Sequence, residues 1–171
     1  MKNSIRLIAA ISICALTVSL MGCGNNEELD KYYDEMSTFS TNVSGIKQSM
    51  DELDTTDPNS VTELLGYLDA METEFEVLSN MNVPKQFSGN ETLADEAYEY
   101  MTQAVALFHE YYDDSESDYS TFETASENYS RAMKRIEYIS TLLKGEVPEG
   151  DGVNVEEQDY DFTPVTDESI E

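Results

Sequence analysis

The chain has 171 residues, 40% of them hydrophobic, with 36 acidic against 9 basic residues and a formal net charge of −27. That balance excludes binding of nucleic acid or anionic lipid through charge, because both need a positive surface. It favours solubility and a cationic partner.

The amino-terminal segment reads as a targeting signal. Lys2 and Arg6 form a small positive region, and Leu7 to Leu20 is an uncharged, mostly apolar run. A spanning helix needs roughly 20 such residues, so this run is too short to be a comfortable one. Length, flanking charge and small residues near the break fit a cleavable signal peptide. Leu20-Met21-Gly22-Cys23 closes it. This tetrapeptide resembles a bacterial lipobox, the processing signal of a secreted lipoprotein. The resemblance implies cleavage between Gly22 and Cys23, removal of residues 1–22, and acylation of Cys23 with diacylglyceryl and palmitate chains. It places the chain on the extracytoplasmic face of the cell membrane. One acyl chain binds a membrane marginally, and two or more hold it stably. In general look the chain is similar to small helical lipoproteins of Gram-positive bacteria, which supplies no activity.

On that reading Cys14 leaves with the signal peptide. Cys23 is lipidated, and the mature domain has neither thiol nor disulfide and relies on an apolar core. The mature chain has 149 residues, enough for one domain, with 7 basic and 36 acidic residues and a net charge of −29. Residues 23–26 are anchor and tether. Only Gly24, Asn25 and Asn26 separate Cys23 from the first helix, so at about 3.5 Å per extended residue the domain stays close to the membrane face.

Residues 27–145 carry four segments with heptad periodicity. In the first, Leu29, Met36, Val43 and Met50 alternate with Tyr32, Phe39, Ile46 and Leu53. The second has Val61, Leu68 and Phe75 against Leu64, Met71 and Leu78. The third has Ala94, Met101 and Phe108 against Ala97, Ala104 and Tyr111. The fourth has Phe122, Tyr129, Ile136 and Leu143 against Ala125, Ala132 and Ile139. The spacing predicts helices over 27–54, 60–81, 91–113 and 119–144. Ser60 with Glu63 and Ser120 with Glu123 read as capping boxes, and Asn90 or Thr92 as a third cap. Lys144-Gly145 followed by Pro148 ends the last helix. The stretch from Ser40 to Gly45 is rich in poor helix formers and predicts a kink. Short connections make neighbours antiparallel, so the expected fold is all-α, an up-down-up-down four-helix bundle. Residues 146–171 hold ten acids, no base and two prolines. They read as an acidic disordered tail.

Functional candidates are few. Metal- and haem-binding bundles direct Glu and His inward. All 27 seam positions above are aliphatic, Met, Phe, Tyr or Ala, so no metal or cofactor is expected in the core. His109, the one histidine, falls on the solvent side and reads as an isolated surface residue. Asp113, Asp114, Glu116 and Asp118 invite a weak cation site. An EF-hand loop starting at Asp114 would need Gly where Tyr119 stands and Glu where Ala125 stands, so a solvated turn is favoured. The third helix has an unusually wide apolar face. It fills the core between two neighbours, and any part left uncovered, with Tyr98, Tyr100, Leu107 and Tyr112, would form a strip for a partner. Arg131, Lys134, Arg135 and Lys144 gather on the fourth helix, with Arg131, Lys134 and Tyr138 on an outer face, and read as neutralisation of acidic neighbours.

No catalytic constellation emerges, and the reading is non-enzymatic. The chain reads as a membrane-anchored extracytoplasmic lipoprotein that binds, or builds, part of the cell envelope. Its partners would be the membrane, through the anchor, and an envelope protein or cationic partner. The alternatives are a cation or small-ligand binder using acidic loops, and an enzyme with a carboxylate site that nothing in the sequence marks.

Overall fold

The computed structural model describes residues 27–114 and 117–148. The expected signal peptide, Cys23 with its expected tether, Glu116 and the acidic segment beyond Pro148 lie outside the described residues. The described residues form helices α1 (Glu27–Asp51), α2 (Ser60–Ser79), α3 (Gly89–Asp113) and α4 (Tyr119–Leu143), with a 3₁₀ turn at Lys85–Phe87. The heptad seams place these helices within three residues of their expected ends. Of the 27 seam residues, 22 are buried. Four of the other five, Leu29, Leu53, Val61 and Tyr111, lie in a first or last turn or just beyond one, where there is least to pack against.

Contacts across the helices fix their directions. Between α3 and α4, Glu96 pairs with Arg135, Tyr100 lies under Arg131, and Phe108 packs on Phe122. Residue numbers rise in one helix as they fall in the other, so the pair is antiparallel. Phe39–Phe75 and Asn42–Glu74 give the same order for α1 and α2. The starts of α1 and α3 meet at one end, where Tyr32 touches both Asn90 and Phe87. This is the expected antiparallel four-helix bundle.

Side-chain size along the seams sets how closely neighbours approach. The α3–α4 contact includes Ala94, Ala97 and Ala104 facing Ala125 and Ala132, each at most 3% exposed, with Phe108 on Phe122 toward the end of α3. Small residues let two helices approach closely, and this is the tightest pair in the bundle. The α1–α2 contact is built instead from Met36, Phe39, Met71 and Phe75, with the two phenylalanine rings edge to face at 5.6 Å. These bulky residues hold α1 and α2 apart, and that pair makes the loosest contact of the three successive pairs.

Helix ends depart from the sequence expectation for identifiable reasons. Asp118, not Ser120, caps α4: its Oδ1 accepts from the Ser120 and Thr121 backbone N–H groups. Those hydrogen bonds, led by the one from the Ser120 hydroxyl, hold the Asp118 carboxyl below the usual carboxylate range. Ser60 is buried as the first residue of α2 and caps nothing, since the cap position is Asn59 and it makes no side-chain cap bond. Asn90 is fully buried inside α3, so it is not a cap either. α1 stops short because Asp54 Oδ1 accepts from both the Thr56 N–H and its hydroxyl, a local turn that competes with the helix. Through Ser40–Gly45, α1 continues as helix. Thr38, Thr41 and Ser49 donate back to carbonyls four residues earlier, which satisfies their hydroxyls within the helix. Gly145, at φ +75°, closes α4 in the left-handed conformation glycine adopts freely.

Candidate functional site

The loose α1–α2 contact leaves an open groove of about 970 Å³. It runs along the first two thirds of α1 and past the end of α2, from Glu27 to Asn42 on one side and from Thr73 to Asn82 on the other. Its base is apolar. Phe39 lies beneath, and Val77 and Met81 rise beside it. Val77 is 51% exposed, one of three large hydrophobic residues left open to solvent among those described. Its rims are acidic. Glu27, Asp30, Asp34 and Glu35 line one side, with Glu74 and Glu76 on the other.

The groove contains one cation, Lys31, and it is already paired with Glu35 at 3.4 Å. Glu74 accepts two 3.1 Å hydrogen bonds from Asn42 Nδ2, which ties the rims together. Glu27, Asp30, Asp34 and Glu76 have no cationic partner among the described residues. An apolar base between two anionic rims can hold a positively charged amphiphile, with apolar contact below and charge pairing at the sides. Sequence reasoning missed this site. The exposed Val77 sits beside Leu78 of the seam and looks unremarkable until the gap between α1 and α2 is known.

The residues singled out in the sequence are scattered. Tyr98, Tyr100, Leu107 and Tyr112 are half-buried and pack on the core, so the wide face of α3 is largely spent on its neighbours. Burial pushes the Tyr112 hydroxyl up, and Tyr100 lies under the guanidinium groups of Arg131 and Arg135, 5.7 and 5.5 Å from its centroid. Asp113 faces His109, and Asp118 is occupied as a cap. Among the described residues no group of three or more His, Cys, Asp or Glu is placed to hold a metal ion.

Three of the four basic residues of the cluster are neutralised locally. Arg131 pairs with Glu127, Lys134 with Glu137, and Arg135 with Glu96 of α3. Tyr138 is buried rather than outward-facing, and Lys134 lies over its ring at 5.2 Å.

His109 is not isolated. Its Nε2 lies 2.8 Å from Asp69 of α2, and its Nδ1 lies 3.5 Å from Asp113 one turn along α3. The bond to Asp69, helped by Asp113, raises the imidazole above its ordinary value of 6.5. Because the folded value exceeds the unfolded one, this clamp is fully present below pH 6.5 and is lost as pH rises through the folded value. The melting temperature should therefore fall as pH rises above 6.5, and His109→Gln should flatten that slope. The imidazole is 37% exposed, so the effect should stay below about 1 kcal/mol.

No protein-family model, curated protein or solved structure matches the chain. Among the described residues no helix is long and apolar enough to cross a membrane.

Proposed function

We propose that the chain is a lipid-anchored, extracytoplasmic binding module of the cell envelope, and that the α1–α2 groove is its ligand face. The groove itself carries the reading: a large apolar trough rimmed by six carboxylates and one already paired lysine suits a cationic ligand. The anchor rests on Leu20-Met21-Gly22-Cys23 and its resemblance to a lipobox. The two features are close in the chain. The groove begins at Glu27, four residues after Cys23. At about 3.5 Å per extended residue, the tether would keep the Glu27 end of the groove within roughly 14 Å of the Cys23 backbone.

Fractionation of cells expressing Cys23→Ala tests the anchor. The wild-type chain should sediment with membranes and migrate as a processed, acylated species. The variant should stay unacylated and uncut before residue 23. A processed Cys23→Ala chain still retained by the membrane would contradict the proposal.

A further inference from the structure

We propose that the occupant of the α1–α2 groove is a cationic amphipathic helix of about four turns, captured from another polypeptide. The proposal rests on the groove being a ligand face, and not on the anchor. Length is the first argument. The α1 rim runs from Glu27 to Asn42, 16 residues or about 24 Å at 1.5 Å per residue. A helix of similar length lying along the trough would meet both rims over its whole course. Surface pattern is the second. Val77, in the last turn of α2, and Met81, just beyond its end, both line the apolar base, a patch that the apolar stripe of a partner helix can cover. Charge is the third. With carboxylates on both sides, lysine or arginine flanking that stripe would pair left and right at once.

Other occupants fit less well. A second copy of this chain brings the same acidic rims. The segment after Gly145 has ten acids and no base, so it is repelled too. A small polyamine would neutralise the rims but leave Val77 and Met81 in water. The α3 face offers no equivalent site, because its aromatic residues are already packed against the core.

The test uses the full-length chain in nonionic detergent with a fluorescent 16-residue lysine–leucine amphipathic peptide, read by anisotropy and circular dichroism. Saturable one-to-one binding with a gain of helical signal is expected. A peptide of the same composition, scrambled to lose its helical stripe, should bind at least about tenfold more weakly. The triple change Asp30→Lys, Asp34→Lys, Glu76→Lys should weaken binding by about tenfold or more, and Val77→Ser severalfold. Glu110→Lys with Glu123→Lys, exposed acids away from the groove, should change it little. Equal losses from groove and distant charges would reduce the effect to net charge and overturn the proposal. If the scrambled peptide or spermine binds as well as the patterned peptide, and Val77→Ser has no effect, the helix proposal falls while a cation-binding groove stands. If none of the three probes binds saturably, the groove reading falls with it.

Discussion

Phe75→Ala should cost about 3–5 kcal/mol of folding stability, a large part of the roughly 5–15 kcal/mol a domain of this size has. Phe75 is wholly buried and packs edge to face on Phe39, across the α1–α2 contact. Removing the ring deletes its transfer free energy and leaves a void that α1 and α2 must collapse into or tolerate. The melting temperature should fall by at least about 6 °C, given roughly 2–4 °C per kcal/mol at this chain length. Phe39→Ala should behave similarly. The double variant should lose less than the sum, because the two rings share one contact. The functional consequence is distinct from the loss of stability. Phe39 underlies the groove, so collapse of the contact should close the trough and abolish peptide binding at temperatures where the variant remains folded. A chain that loses under about 1 kcal/mol would show that the Phe39–Phe75 contact does not set the α1–α2 spacing.

What could be read from the sequence, and what could not, follows from the range of each interaction. The heptad seams report on burial along a single helix, and they locate the core from Tyr32 to Leu143. The bundle follows from four such seams and short connections. The groove does not, because it depends on volumes meeting across two helices: buried alanines recur along the facing seams of α3 and α4, and none lies on the seams of α1 and α2. The Asp69–His109 clamp was hidden for the same reason: 40 residues separate the partners, and only the α2–α3 register brings them together. The misread caps are a failure of local competition. Asp118 and Ser120 are two positions apart and both suit a helix start, and Asp118 holds the position from which Oδ1 can accept two backbone N–H groups. Asn90 looked like a cap because asparagine favours helix starts. The short 3₁₀ turn at Lys85–Phe87 instead precedes α3, and Asn90 lies inside, beside Tyr32.

That buried pair carries the second large effect. Asn90 is fully buried and Tyr32 is 2% exposed. Asn90 Nδ2 donates to the tyrosine hydroxyl at 3.1 Å, while Oδ1 has no partner among the described residues. Burial raises the Tyr32 hydroxyl above its ordinary value, against the pull of the Asn90 bond, so it stays protonated throughout the neutral range. The amide is thus half satisfied, and removing either partner alone leaves the other buried without one. Tyr32→Phe strands the whole Asn90 amide and should cost about 1–3 kcal/mol. Asn90→Leu strands the tyrosine hydroxyl but removes the orphan Oδ1, so its loss should be smaller. The double variant Tyr32→Phe, Asn90→Leu replaces both polar groups by apolar ones of similar shape and should be near wild type or more stable. Urea unfolding of all four chains closes the cycle, and a coupling of at least about 1 kcal/mol is expected. Additive losses would mean that the two residues act independently. With coupling, the pair is better understood as a register pin than as a source of stability. It joins the start of α1 to the start of α3 at the end of the bundle where the groove opens at Glu27. A double variant that is stable but binds the amphipathic peptide more weakly would show that the polar pair holds the groove's end in place rather than holding the fold together.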